Sequence, residues 1–169
     1  MSTESSLKRT DARSPATLRP RSKSVATWLA LVVGSLGVHR WYVQGLSDKL
    51  AWLHPWPTLL GLLGVHRMLR LGQDDRLAWL LIPLLGLMIS QSMLVAIVYA
   101  LTPDDKWDAR YNQGRPLNDT GWLPVLGAVL ALLIGGTVLM GTIAFSGQRF
   151  FEWQLDGRRA SQNSHKLMA

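Results

Sequence analysis

The chain has 169 residues, of which 48% are apolar and 17% charged, and it carries a formal net charge of +7. Four segments, 24–38, 50–65, 77–101 and 121–148, contain 84 residues without one Asp, Glu, Lys or Arg, so all 29 charges lie in the other 85. Soluble domains, disordered chains and coiled coils mix charge into their apolar stretches, and this segregation excludes all three. We therefore expect an all-α, multi-span membrane protein with four short apolar helical segments.

Residues 1–23 form a basic tail that is rich in Ser, Thr, Arg and Pro. We expect this tail to be disordered and cytoplasmic, because it has almost no large apolar residues and its cations would meet anionic lipid headgroups. It has no aromatic residues for stacking on bases, so we do not expect nucleic-acid binding. The apolar run that follows ends without a signal-peptide cleavage site, which favours a retained membrane anchor.

The four apolar segments fit a membrane span to different degrees. Segment 24–38 would be ~22 Å long as a helix, which is short of the ~30 Å hydrocarbon core. Segment 50–65 is interrupted by His54-Pro55-Trp56-Pro57, so it either crosses the membrane or forms a re-entrant or interfacial helix. Segments 77–101 and 121–148 are long enough to cross, at ~37 Å and ~42 Å.

Polar segments separate and follow these spans. Residues 102–120 form an acidic loop, residues 149–155 mix aromatic and charged side chains as interfacial helices do, and the chain end, up to residue 169, is polar and loose. Four spans place 13 Lys and Arg residues on the side of both termini and five on the other, whereas three spans give nine and nine. The positive-inside rule therefore predicts four spans with both termini in the cytoplasm.

A seven-residue motif occurs twice, at the carboxyl ends of the first two apolar segments. Residues 34–40 read Gly-Ser-Leu-Gly-Val-His-Arg and residues 61–67 read Gly-Leu-Leu-Gly-Val-His-Arg, with six identities. If both segments span, the copies end on opposite membrane faces, as in the inverted repeats of transporters. Chance similarity is the alternative, because Gly and Leu are abundant in this chain.

The first copy continues into Trp41-Tyr42. Its run Gly-x-Leu-Gly-Val-His-Arg-Trp-Tyr, after a basic residue and an apolar helix, resembles the TM-two domain family of small membrane proteins, with Trp41 in place of that family's Phe. Residues 73–115 are similar to the extension found in bacterial members. The resemblance implies a bacterial inner-membrane protein with a helical hairpin over residues 24–70 and no assigned reaction. The apolar runs themselves predict transmembrane helices over 71–101 and 121–148.

Two sets of residues are candidates for binding and packing. His39, Arg40, Trp41 and Tyr42 form either a corner that binds lipid headgroups or a partner, with Arg40 on a phosphate, or an interfacial stop that fixes helix depth. Small residues recur at every fourth position in the last two spans and predict close helix packing. They are Ser92, Ala96 and Ala100 in one span and Gly127, Ala131 and Gly135 in the other.

Three polar groups are candidates for chemistry. Ser90-Gln91-Ser92, near the middle of the third span, fits either a transport path or interhelical hydrogen bonding. The run from Asp104 to Asp108 matches the D-D-x-x-D pattern that holds magnesium and diphosphate in prenyl-transferring enzymes, and it also matches a capped helix start. His39, His54 and His66 lack the spacing of metal or haem ligands, so we expect no cofactor.

These features favour a non-enzymatic integral inner-membrane protein that acts as a structural or interaction component. Its partners would be membrane lipids with anionic headgroups, other membrane proteins or a second copy of itself. The alternative is a small transporter or channel component, which the repeated motif and the mid-span polar residues suggest. An enzyme comes third, because no nucleophile, acid pair or metal set converges in the sequence.

Overall fold

The computed structural model describes residues 20–115 and 121–168, with side chains described up to residue 158. Most of the expected disordered tail, 1–23, lies outside the described residues, as does the end of the expected loop at 102–120. The elements described are a short 3₁₀ turn (Gly34–Leu36) and seven helices: α1 (Lys23–Val33), α2 (Val38–Gln44), α3 (Lys49–Leu53), α4 (Pro55–Leu71), α5 (Arg76–Leu101), α6 (Asp104–Tyr111) and α7 (Leu123–Met168). The described residues contain no strand, which confirms the all-α prediction.

The first predicted segment is a hairpin instead of one helix. The 3₁₀ turn follows α1, and Gly37 then adopts φ 81°, in the left-handed region that favours glycine. α2 runs back beside α1, because the Tyr42 hydroxyl accepts a 2.9 Å hydrogen bond from the Ser22 backbone and Val43 packs with Ala26. Only glycines mark this turn within an otherwise continuous apolar run.

The second predicted segment lies in α3 and α4, which meet at His54. The backbone of His54 is itself helical, with φ −60° and ψ −40°. Pro55 and Pro57 fall in the first turn of α4, where a missing N–H removes no helical hydrogen bond. Residues 49–71 therefore form one kinked helical rod of ~34 Å.

α4 packs antiparallel on α5 through two glycines. Gly61 faces Leu85, and Gly64, one turn further along α4, faces Leu81. A Cβ at Gly61 would lie 2.5 Å from the Leu85 Cβ and 2.6 Å from its backbone nitrogen. Only glycine allows the two backbones to approach this closely.

The helices define two ends of the bundle. At the Lys23 end, the ammonium group of Lys23 donates a 3.0 Å hydrogen bond to the carbonyl of Thr102, just after α5. At the Arg149 end, the guanidinium of Arg149 in α7 lies 4.9 Å from the ring centre of Trp79, near the start of α5. The described chain thus begins at the Lys23 end, and α7 extends to the Arg149 end. Within the described residues, the hairpin thus replaces one of the four predicted crossings of the bundle by a return.

Within residues 20–115 and 121–158, two helical stretches are long and apolar enough to cross a membrane, Arg76–Leu101 and Leu123–Arg158, where four were predicted. The predicted number is therefore wrong for the described residues. Segment 24–38 is broken at Gly37, and α4 has 17 residues because the proline-rich kink separates it from α3. The third and fourth segments do form the helices that the sequence predicts.

α7 continues past the predicted end of the fourth span at Gln148. The segment 149–155 and the chain end up to Met168, predicted as a separate interfacial helix and a loose tail, belong to this same helix. Glu152 accepts hydrogen bonds from Gln148 at 2.8 Å and from Arg149 at 2.6 Å, contacts that support helical structure. No proline follows Pro124 to end the helix.

Small residues fill the core, while large apolar residues cover the surface. Eight of the eleven buried apolar residues in the described part of the chain are alanines, and Ala30, Ala96 and Ala131 join α1, α5 and α7 around Met93. By contrast, 35 large apolar side chains among the described residues are exposed, and only 17% and 22% of the most apolar windows of α5 and α7 are buried. Water-soluble proteins have the opposite distribution.

Candidate functional site

Residues 34–37, which we call the hairpin tip, are held against two helices. The carbonyl of Ser35 accepts a 2.6 Å hydrogen bond from the hydroxyl of Thr58 in α4, a residue that is 3% exposed. A Cβ at Gly34 would lie 2.7 Å from the Cβ of Ser92 in α5. The tip is therefore a fixed element that ends beside the middle part of α5.

Two histidines and a glutamine lie beside this tip. His39 in α2 is 1% exposed, and its ring centre lies 6.1 Å from that of His54 and 6.0 Å from that of Tyr99. The Nε2 atom of His54 lies 3.5 Å from Nε2 of Gln91. We call His39, His54 and Gln91 the mid-bundle cluster. Ionisable side chains within an apolar helical bundle are rare and commonly functional.

The predicted corner of His39, Arg40, Trp41 and Tyr42 is divided among three environments. His39 is buried in the bundle, while the Nε of Arg40 donates to the carboxylate of Asp48 at 2.7 Å. Trp41 and Tyr42 line a pocket at the Lys23 end. The structure therefore does not bring the four side chains together on one surface.

The six predicted packing residues are all buried: Ser92, Ala96, Ala100, Gly127, Ala131 and Gly135. Ala96 and Ala131 share one core cluster, and Gly135 packs on Met93 of α5. Gly127 instead packs on Thr27 of α1, where a Cβ would lie 2.9 Å from the Thr27 methyl carbon. The two rows of small residues thus face each other around Ala96, whereas Gly127 contacts α1.

The repeat is longer than its seven-residue motif. Residues 34–53 and 61–80 align at an offset of 27 with 12 identities in 20 positions. Four consecutive mismatches, at 41–44 and 68–71, separate the seven-residue motif from a second matching part, 45–53 and 72–80. This second part was not predicted from the sequence. In both copies, a glycine with positive φ ends the preceding helix, Gly45 at 88° and Gly72 at 92°. We call residues 45–53 and 72–80 the turn units.

An arginine and an aspartate form the same pair in each copy. The Nε of Arg40 donates to Asp48, and the Nε of Arg67 donates to Asp75, both at 2.7 Å. Each aspartate also caps the next helix by accepting from the N–H two residues later, at 3.0 and 3.2 Å. The arginine hydrogen bond is the main cause that holds the pKa of each aspartate below its ordinary value.

A tryptophan completes each turn unit. The indole N–H of Trp52 donates to the carbonyl of Leu46 at 3.2 Å, and that of Trp79 donates to the carbonyl of Gln73 at 2.6 Å. The Trp52 ring lies 5.1 Å from that of Trp41 near the Lys23 end, whereas Trp79 contacts Arg149 at the other end. The turn units therefore lie at opposite ends of the bundle.

The predicted acidic loop contains α6, which lies at the Lys23 end. Asp104 pairs with Lys23 at 2.5 Å, and Asp108 accepts from the Asn112 amide at 2.7 Å. Both carboxylates therefore have protein partners, as in a structural helix start and unlike an open magnesium site. In the described part of the chain, no group of three or more His, Asp or Glu residues is placed to hold a metal ion.

A pocket of about 640 Å³ opens at the Lys23 end between the segment before α1, α2 and α6. We call it the end pocket. Its lining includes the two aromatic residues of the predicted corner, together with two arginines, Arg21 and Arg110, and the side chains of Tyr111 and Gln113.

No family model matches the chain, and no curated protein or solved structure matches it either. The resemblance to the TM-two domain family therefore stays a prediction that depends on the motif around His39, Arg40, Trp41 and Tyr42.

Proposed function

We propose that the protein is a non-enzymatic integral membrane protein that acts as a structural or interaction component. The distribution of side chains supports this proposal most directly, with alanines inside and large apolar residues outside. Lipid tails solvate exposed Leu and Val as a protein core would, and small residues let helices approach without a hydrophobic driving force. In water, the same surface would be an aggregation hazard.

In the proposed arrangement, the rod of residues 49–71, α5 and the first part of α7 cross the bilayer. The α1–α2 hairpin enters from the Lys23 end and returns to it. The crossing helices are ~34–39 Å long, enough for a ~30 Å hydrocarbon core. Eleven of the 18 Lys and Arg residues then lie on the Lys23 side, so that side faces the cytoplasm and the far end of α7 does not. The resemblance to the TM-two domain family adds the bacterial inner membrane as the location.

Single-cysteine labelling tests this topology, because the chain has no cysteine. Cysteines at Ser6, Ser47 and Gln73 are labelled in intact cells with an impermeant maleimide. We expect Ser6 and Ser47 to be protected together, and Gln73 to react. Four spans would instead pair Ser6 with Gln73 and put Ser47 on the opposite face. Release of the protein by alkaline carbonate would contradict membrane integration itself.

The interaction role predicts a defined assembly. The full chain, extracted in mild detergent, should co-purify in fixed stoichiometry with another membrane protein or with a second copy of itself. A monodisperse monomer without a partner, both in mild detergent and after cross-linking in native membranes, would contradict this role.

A small transporter or channel component is the second candidate, and the mid-bundle cluster favours it. Broken or re-entrant helices whose ends meet at mid-depth are typical of transporter binding sites, and the inverted turn units are consistent with that architecture. The test is proton flux into proteoliposomes loaded with a pH-sensitive dye. Flux that His39→Leu abolishes, but that His66→Leu at the equivalent, exposed position of the repeat preserves, would support this candidate. No flux above protein-free liposomes would contradict it.

A further inference from the structure

We propose that the end pocket binds a phosphate group, supplied either by the headgroup of an anionic lipid or by a soluble phosphate. Arg21 and Arg110 line it from different elements, one before α1 and one in α6. None of the described lining residues is acidic. Guanidinium groups form charge-assisted, often bidentate hydrogen bonds with phosphate oxygens, which makes a phosphate the expected occupant.

Hydrogen bonds to two buried side chains fix the two arginine-bearing walls relative to each other. The backbone N–H of Arg21 donates to the Asn112 side-chain oxygen at 2.8 Å, and the Arg21 carbonyl accepts from the Asn112 amide at 3.2 Å and from the Trp107 indole at 2.8 Å. Asn112 is 7% exposed and Trp107 is completely buried. The backbone of Arg21 is thus clamped to the element that carries Arg110, so the pocket keeps its shape without a ligand.

The aromatic residues of the lining include one N–H without a partner and one ring that contacts a cation. The indole nitrogen of Trp41 is buried and has no acceptor among the described residues. A buried N–H without a partner is costly, and an oxyanion that reaches it on binding would remove that cost. The guanidinium carbon of Arg110 lies 5.6 Å from the ring centre of Tyr111, a cation–π contact that orients this side chain at the pocket.

The position of the end pocket favours the lipid as the source. It lies at the Lys23 end beside the Trp41–Trp52 contact, where indoles would mark the headgroup level in the proposed arrangement. The lipid source thus depends on the proposed function, whereas binding of inorganic phosphate does not. A soluble phosphate would reach the same residues from the cytoplasmic side.

Binding is measured on the full chain in a non-ionic detergent, with phosphatidylglycerol in one titration and inorganic phosphate in another. Native mass spectrometry counts the bound lipid, and calorimetry gives the Kd of each probe. We expect saturable binding that Arg110→Gln weakens about tenfold or more, as for loss of a charged hydrogen bond. Trp41→Phe should weaken it roughly threefold to tenfold, because the ring remains and only the N–H is lost.

Two matched controls separate the pocket from general charge and aromatic content. Arg115→Gln removes the same charge from an exposed position outside the pocket lining. Trp79→Phe removes an indole N–H that already donates to Gln73, at the opposite end of the bundle. Neither control should change either Kd. Because Arg110 is exposed, its variant should keep the helical content and the thermal midpoint of the wild type, which circular dichroism verifies.

The outcomes are distinct. Phosphatidylglycerol binding that depends on Arg110 and Trp41 assigns the site to a lipid headgroup, and phosphate binding alone with the same dependence assigns it to a soluble phosphate. Equal Kd values in the wild type and the pocket variants, or no saturable binding of either probe, would overturn the proposal. Carbonate release with intact phosphate binding would refute the membrane arrangement and leave the pocket assignment standing.

Discussion

The guanidinium of Arg67 and the carboxylate of Asp75 are joined by two hydrogen bonds, of 2.7 and 3.2 Å, across the turn between α4 and α5. The same carboxylate accepts from the Leu77 N–H and so caps α5. Arg40 and Asp48 repeat the pair 27 residues earlier, between α2 and α3. Each copy therefore contains a turn that is fixed by one carboxylate, which binds an arginine and caps the next helix.

Substitution at Asp75 should separate its two roles. Asn is a good helix cap but cannot form the ion pair, whereas Ala can do neither. We expect the thermal midpoint in detergent to fall for Asp75→Asn and to fall further for Asp75→Ala. Asp74→Asn, at the exposed neighbouring position, is the control and should leave the midpoint unchanged. Equal midpoints for the Asn and Ala variants would show that the cap contributes nothing.

The two pairs also predict a pH dependence. Hydrogen bonds from Arg40 and Arg67 hold the pKa of Asp48 and of Asp75 below the ordinary value of 3.8. The unfolded carboxyl groups therefore bind protons at a higher pH than the folded ones. The stabilisation is complete well above pH ~4 and is lost as the pH falls through the lowered pKa of the folded state.

Thermal melts of the wild type and of the double variant Asp48→Asn, Asp75→Asn should show this difference. We expect a constant gap in midpoint between pH ~7 and ~5, and a gap that shrinks below pH ~4. A gap that is unchanged down to pH ~3, or that widens on acidification, would contradict a lowered pKa for the two aspartates.

The sequence predicts the two long helices well because their apolar runs are continuous and long. It does not reveal the hairpin, since the run from Val25 to Val38 is just as apolar. The turn there depends on the φ of Gly37 and on contacts of the tip with Ser92 and Thr58, which are distant in sequence. Conversely, the two prolines after His54 indicate a break, but their position in the first turn of α4 leaves only a kink.

The prediction of site residues was also limited, because their arrangement depends on the fold. The sequence shows the motif around His39. Its four side chains nevertheless point in different directions, because consecutive residues of a helix lie on different faces. The second half of the repeat escaped notice because the segments 41–44 and 68–71 share no residue. Asp48 and Asp75 were the available signal, since both stand eight residues after the arginine of the motif. The end pocket requires Arg21 and Arg110, which only the fold brings together.

The α4–α5 contact should be sensitive to one methyl group. In Gly61→Ala the new Cβ would meet the backbone and Cβ of Leu85, which cannot move without separating the helices. We expect a loss of about 1–3 kcal/mol in the free energy of unfolding, measured by titration with dodecyl sulfate in mixed micelles. Gly141→Ala is the control, because no atom lies within 4 Å of its Cβ position. Equal free energies for the two variants would contradict the close α4–α5 contact.

The hairpin tip should depend on the hydroxyl of Thr58. Thr58→Val keeps the shape of the side chain but leaves the Ser35 carbonyl without its 2.6 Å hydrogen bond. In an apolar surrounding, this should cost about 1–3 kcal/mol of unfolding free energy, measured by the same dodecyl sulfate titration. Thr137→Val is the matched control, because the Thr137 hydroxyl is exposed and bonds only to Leu133 of its own helix. We expect a change below about 0.5 kcal/mol there. If the two valine variants lost the same free energy, the tip would not be held by α4, and the re-entrant arrangement would lose its main polar contact.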